Sequence, residues 1–154
     1  MAATVLIVDD DPLIRQFVEL VLAQEGYNVS TVGSGELALK ALQQAKWDLV
    51  LLDIEMPDMS GLDLLELLRK YQKRPVRVMM MTARRDAATV TNSMVIGADG
   101  YLIKPFVPED LIKRVKSILN VKPGDAGDKA LPIGPPRSCS AKIANSAIYA
   151  SSCK

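Results

Sequence analysis

Asp48-Leu49-Val50-Leu51-Leu52-Asp53 is a run of four aliphatic residues held between two acids. Its length suits a strand and falls far short of the roughly 20 apolar residues that a membrane span requires. Apolar residues without alternation imply a strand covered on both faces, as in parallel sheets. The acid that closes it, Asp53, then stands at a carboxyl tip, which is where open parallel sheets bind their ligands.

Toward the N-terminus, Thr4 to Val8 is a second run of strand length. Asp11-Pro12 follows, a capping acid and a proline suited to the first helical position. Leu13, Ile14, Phe17, Val18, Val21 and Leu22 recur with helical period, and Gly26 is a C-terminal stop. Asn28 to Val32 reads as a weak strand, and Ser34 caps a helix whose apolar face is Leu37, Ala38, Ala41, Leu42 and Ala45. Toward the C-terminus, Glu55 to Gly61 is a loop, Leu62 to Tyr71 a helix and Val76 to Met81 a strand. Asp86 caps a helix running to Gly97, Gly100 to Ile103 is a strand, and Pro108 opens a last helix through Leu119. Strands that alternate with helices predict an α/β fold: a doubly wound (βα)5 three-layer sandwich around a parallel five-stranded sheet, in strand order 2-1-3-4-5.

This pattern fills residues 1–120, read as one domain of a 154-residue chain. Residues 121–154 are rich in Pro, Gly and Ser and read as a flexible tail or linker, with at most a short helix over 141–150. The formal net charge is +1 with no basic-aromatic stripe, so composition points away from direct nucleic-acid binding. No signal peptide or membrane span is read, and the two cysteines, Cys139 and Cys153, indicate no disulfide framework; a reducing, cytoplasmic setting fits. The chain has no histidine, which excludes a His-containing triad, a His-ligated metal and phosphotransfer on a histidine of its own.

The predicted strand tips carry Asp9-Asp10-Asp11, Asp53, Thr82 and Lys104-Pro105. In the 2-1-3-4-5 order the first and third strands are neighbours, so Asp9, Asp10 and Asp53 should converge. Two like charges at about 4 Å repel by roughly 4 kcal/mol at an effective dielectric of 20, so such a cluster needs a cation or a proton. Hard oxygen ligands without His or Cys point to Mg²⁺, with Mn²⁺ or Ca²⁺ as substitutes. Mg²⁺ on one or two carboxylates keeps positions for phosphate oxygens, while no Gly-rich phosphate loop favours a nucleotide. A carboxylate can itself attack phosphorus, and Asp53, at the tip of the most apolar strand, is the candidate nucleophile. Lys104 would contact a phosphoryl oxygen and Asp53, and the Thr82 hydroxyl another oxygen. Asp11 is read only as a helix cap.

Val8-Asp9-Asp10, Leu52-Asp53-Ile54-Glu55-Met56-Pro57 with Gly61, Met81-Thr82-Ala83, and Gly97-Ala98-Asp99-Gly100-Tyr101-Leu102-Ile103-Lys104-Pro105-Phe106 resemble the receiver domain of bacterial two-component response regulators. The resemblance covers roughly Thr4 to Asn120. It implies Asp53 as phosphoacceptor and Asp9 and Asp10 as Mg²⁺ ligands, with the Glu55 backbone carbonyl also on the metal. It further implies Thr82 and Lys104 as phosphoryl ligands, Tyr101 as an aromatic switch, and a cis Lys104-Pro105 bond. The donor would be a phosphohistidine on a sensor histidine kinase or a histidine phosphotransfer protein. The readout would run through the face of the fourth helix, fifth strand and fifth helix (Asp86 to Gly97, Tyr101, Glu109 to Leu119), toward a downstream protein or a second copy of the chain.

Other readings stay open beside this one. Tyr101 also fits a static, half-buried strand aromatic. Met79, Met80, Met81, Met94 and Trp47 read as packing, and Met56 and Met59 as packing or as exposed partner contacts near the site. Glu55 and Arg84 flank the site and would tune the access of water to an aspartyl phosphate. The sheet also suits a Mg²⁺-dependent phosphatase with an Asp nucleophile, Glu55 then being its second acid, although no cap-sized insertion exists. The chain also fits the receiver portion of a longer output-domain regulator. As a receiver it is no enzyme in the ordinary sense, catalysing only its own phosphorylation and dephosphorylation.

Overall fold

A computed structural model describes residues 2–71, 76–84 and 86–120. The order is β1 (Thr4–Val8), α1 (Pro12–Gln24), β2 (Asn28–Val32), α2 (Gly35–Gln44), β3 (Leu49–Asp53), α3 (Gly61–Tyr71), β4 (Arg77–Thr82), α4 (Ala87–Ile96), β5 (Gly100–Ile103) and α5 (Pro108–Asn120). All strand pairs are parallel, in the order β2-β1-β3-β4-β5. The doubly wound five-stranded sandwich expected from the alternation of runs is therefore the fold. The tail over 121–154, its helix over 141–150, Cys139 and Cys153 lie outside the described residues.

Strand side chains point alternately to the two faces, and each face has its own core. Leu6, Val8, Val50, Leu52, Val78 and Met80 pack with Leu64, Leu65 and Leu68 beneath α2, α3 and α4. Val5, Ile7, Leu49, Leu51, Met79 and Met81 pack with Val18, Leu22, Leu111 and Val115 of α1 and α5. β3, central in the sheet, is buried at every residue, which explains its lack of alternation. Met79, Met80 and Met81 are wholly buried, as packing requires, and Trp47 sits half-buried with its indole N–H donating to the Ala41 carbonyl at 3.0 Å.

The helix starts follow the side-chain chemistry. Asp11 accepts from the Leu13 amide at 2.9 Å, Ser34 from Leu37 at 3.1 Å, and Asp86 from Thr89 at 2.9 Å. Gly97 closes α4 at φ 124°, a backbone state that L side chains rarely adopt. Several boundaries move by a residue from the sequence reading. β4 extends to Thr82 because Thr82 pairs with Ile103, and Gly61 is the first residue of α3 rather than loop. Gly61 is required there: a methyl group would run into the Asp53 carbonyl.

Candidate phosphoacceptor site

β1 and β3 are adjacent, with Val8 opposite Leu52, so the chain turns out of the sheet at Asp9 and Asp53 on one edge. Carboxylate oxygens of Asp9, Asp10 and Asp53 all lie within 4.8 Å of one another. Asp9 is fully buried and Asp53 is 4% exposed, whereas Asp10 faces solvent. Lys104 bridges the two buried acids, with Nζ donating to Asp9 Oδ2 at 2.7 Å and to Asp53 Oδ1 at 3.3 Å. The expected Lys104 contact with Asp53 is present, and a shorter one with Asp9 accompanies it.

Three acids against one ammonium leave an excess of negative charge at the strand tips. Burial pushes the Asp53 carboxyl up to about 7, and the Asp9 charge adds to the rise, against the opposing pull of Lys104. Burial alone would lower the Lys104 ammonium, but Asp9 and Asp53 outweigh it and hold the group above its ordinary value. This all-oxygen donor set, short of one or two positive charges, fits a hard divalent cation of the Mg²⁺ kind.

The remaining predicted residues take their places around the acids. Thr82 ends β4, 1% exposed, and its carbonyl accepts from the Lys104 amide at 2.7 Å. Its Oγ1 accepts from the Arg84 amide at 2.9 Å, a turn that fixes the start of the β4–α4 loop. The Glu55 amide donates to Asp53 Oδ1 at 3.4 Å, while its side chain is exposed. The Lys104-Pro105 bond is cis. Tyr101 is only 2% exposed, in the core shared by α3 and α4 rather than half-buried, with the Arg114 guanidinium 5.8 Å from its ring centre. Met56 is buried, so its reading as an exposed partner contact is set aside, and Met59 is half-buried against the same core. An open cleft of about 560 Å³ is lined by Asp10 together with Glu55, Met56, Arg84 and Thr89.

Three contacts have no counterpart in the motif reading. Arg15 donates to the Asp9 carbonyl at 2.6 Å. Asp58 accepts from the Gly35 and Glu36 amides at 3.2 and 3.1 Å, tying the β3–α3 loop to the start of α2. Arg69 donates to the carbonyls of Gly97 and Val76 at 2.9 and 2.7 Å and pairs with Asp99 at 3.1 Å. Each joins two different elements or loops; for Arg15 and Arg69 the only signal in the sequence is a charged residue beside an apolar helix stripe, and for Asp58 a loop acid.

Residues 5–116 match the family model described as the response regulator receiver domain. The DNA-binding response regulator MtrA of Mycolicibacterium smegmatis is 39% identical over 119 residues, which cover 77% of this chain and 51% of that protein. The chain thus spans about half the length of the curated relatives it matches. Among solved structures, the chemotaxis response regulator CheY4 of Vibrio cholerae superposes with a TM-score of 0.73 at 34% identity, over 77% of this chain and 99% of that one. The response regulator TrrA of Thermotoga maritima, solved in complex with Mg(2+)-BeF, gives a TM-score of 0.68 at 37% identity, over 77% and 99%.

Proposed function

The chain belongs to the response regulator receiver domain family of two-component systems, and on that premise we propose that it is a phosphorylation switch whose acceptor is Asp53. The observation that carries the proposal is the triad of Asp9, Asp10 and Asp53 at one sheet edge with Lys104 reaching two of its members. Asp9 and Asp10 would hold Mg²⁺ together with Asp53 and the Glu55 carbonyl, and Mn²⁺ would substitute. When bound, the metal would neutralise charge on the phosphoryl oxygens.

In the reaction, an ionised Asp53 oxygen attacks phosphorus and an O–P bond forms. The P–N bond to the donor imidazole breaks, its electron pair stays on nitrogen, and that nitrogen takes up a proton. Lys104 would favour the carboxylate form of Asp53 and then hold one phosphoryl oxygen, as the Thr82 hydroxyl would another. The donor would be a phosphohistidine on a sensor kinase or phosphotransfer protein, in the cytoplasm. No helix among the described residues is long and apolar enough to cross a membrane. Beyond this transfer and the later hydrolysis, no turnover is proposed.

The readout would follow from Thr82 moving with the phosphoryl group, repositioning the β4–α4 loop, α4 and the buried Tyr101. The face of α4, β5 and α5 would then meet a downstream protein or a second copy. A domain over 1–120 followed by a linker over 121–154 is consistent with this. The length of relatives such as MtrA favours a second reading for the output, a receiver working ahead of a further domain; direct nucleic-acid contact would then belong to that domain.

The test is incubation with acetyl phosphate and Mg²⁺, read by intact mass, with Asp53→Asn in parallel. A phosphoryl mass gain in the wild type alone is expected. A gain in both proteins moves the acceptor elsewhere, and sustained hydrolysis of phosphate esters favours the phosphatase reading.

A further inference from the structure

Asp9 is fully buried, and each of its polar atoms has a partner. Its amide donates to the Val32 carbonyl at 3.2 Å, Oδ1 accepts from the Asp11 amide at 2.9 Å, and Oδ2 accepts from Lys104 at 2.7 Å. Its own carbonyl lies one residue past the end of β1, where the parallel ladder with β2 has run out at Val8 opposite Val32. An unpaired carbonyl there would carry a desolvation penalty. Arg15, from the first turns of α1, supplies the donor at 2.6 Å. The guanidinium also lies against Gly33, in the turn after β2: a methyl group at that position would come 2.9 Å from its terminal nitrogen. Gly33 is not in the left-handed region, so its value is the space it leaves rather than its backbone freedom.

We propose that Arg15 is a positioning residue for the cation site, seated on Gly33, which fixes the backbone of Asp9 so that its carboxylate faces Asp10 and Asp53. The inference deepens the phosphoacceptor reading and rests on it. Two effects act in opposite directions, and the positioning outweighs the charge. The carbonyl hydrogen bond removes the freedom of the β1 tip to rotate, and a metal ligand whose supporting partners are removed typically loses 10–100-fold in affinity. The guanidinium charge itself would repel a nearby divalent cation, so the gain in Mg²⁺ affinity comes from the positioning.

The experiment is calorimetric titration with MgCl₂ of the full chain, the Arg15→Met, Arg15→Lys and Gly33→Ala variants, and the Arg15→Met/Gly33→Ala double variant. Acetyl phosphate labelling against Mg²⁺ concentration runs beside it, and urea midpoints control for folding. Arg15→Met should weaken Mg²⁺ binding by about tenfold. Its labelling rate at saturating Mg²⁺ should change much less than the concentration needed for half-saturation. Arg15→Lys should recover part of the loss. Gly33→Ala should lose part of the affinity, because its methyl group pushes the flexible guanidinium tip off the Asp9 carbonyl, and the double variant should be no worse than Arg15→Met alone.

A lowered urea midpoint with unchanged Mg²⁺ affinity would reduce Arg15 to a structural cap and overturn the proposal, as would losses that multiply in the double variant. Should Arg15→Met fail to fold, Arg15→Lys and Gly33→Ala carry the same test. Wild-type chain that binds Mg²⁺ yet takes no label on Asp53 would sink the phosphoacceptor reading while leaving the titrations to decide on Arg15. Wild-type chain that binds no Mg²⁺ would overturn both.

Discussion

Replacing Asp53 by asparagine should stabilise the metal-free protein, by an amount that grows with pH. Asp53 holds its proton up to about 7, against an ordinary value of 3.8, because burial penalises the charged form and Asp9 repels it. Between those values the unfolded chain has released the proton while the folded chain retains it, so folding stability falls as pH rises through that window. A shift from 3.8 to about 7 corresponds to about 4 kcal/mol once pH passes the upper value. The carboxylate opens on the acidic edge beside solvent-facing Asp10, and screening by water there brings the expected effect nearer to about 2 kcal/mol. Asparagine keeps the shape and an acceptor for Lys104 but cannot ionise, and Lys104 retains Asp9. Urea denaturation without divalent cations should therefore place Asp53→Asn about 2 kcal/mol above the wild type at pH 7.5, and less than half as far above it at pH 5. Every other titrating group is common to both proteins, so their difference isolates Asp53 and the groups it touches. Parallel stability–pH curves for the two proteins would show that burial does not strain this carboxylate.

Mg²⁺ at about 100 times its dissociation constant should raise the wild-type unfolding free energy by about 2.7 kcal/mol, and Asp10→Ala, at an exposed position, should lose most of that gain while folding normally; thermal melts against Mg²⁺ concentration read this. Arg69→Met should destabilise by about 2 kcal/mol, since it leaves the part-buried Asp99 with the Val78 amide as its hydrogen-bond donor and frees two carbonyls at the α4–β5 corner; urea midpoints measure it. Gly61→Ala should lose about 2–3 kcal/mol and displace the β3–α3 loop, because the methyl group meets the Asp53 backbone rather than a flexible side chain. Exchanging Glu55 and Arg84 for small neutral residues should change the half-life of the phosphorylated form, followed by loss of the mass label.

The fold was legible because its signals are local. Four apolar runs of strand length and one weaker strand, three side-chain caps and the stop at Gly97 each act within a few residues, and they prescribe a parallel sheet whichever contacts complete it. The acids were legible for a related reason: in a doubly wound sheet, standing at a strand tip is enough to place Asp9, Asp10, Asp53, Thr82 and Lys104 on one edge. The depth of Tyr101 and Met56 was not, since an aromatic or a methionine at a strand or loop position carries no mark of whether a helix covers it.

What the chain determined by itself was the order of its elements and the identity of the charges at their ends, both of which depend on neighbours in sequence. What only the tertiary structure decided was how those charges are held. Lys104 lies closer to Asp9 than to Asp53, Arg15 takes the Asp9 carbonyl over Gly33, and Asp58 binds the start of α2. Hydrogen bonds of this kind depend on fractions of an ångström between segments that meet only when the sheet has assembled, and no local propensity encodes such a distance.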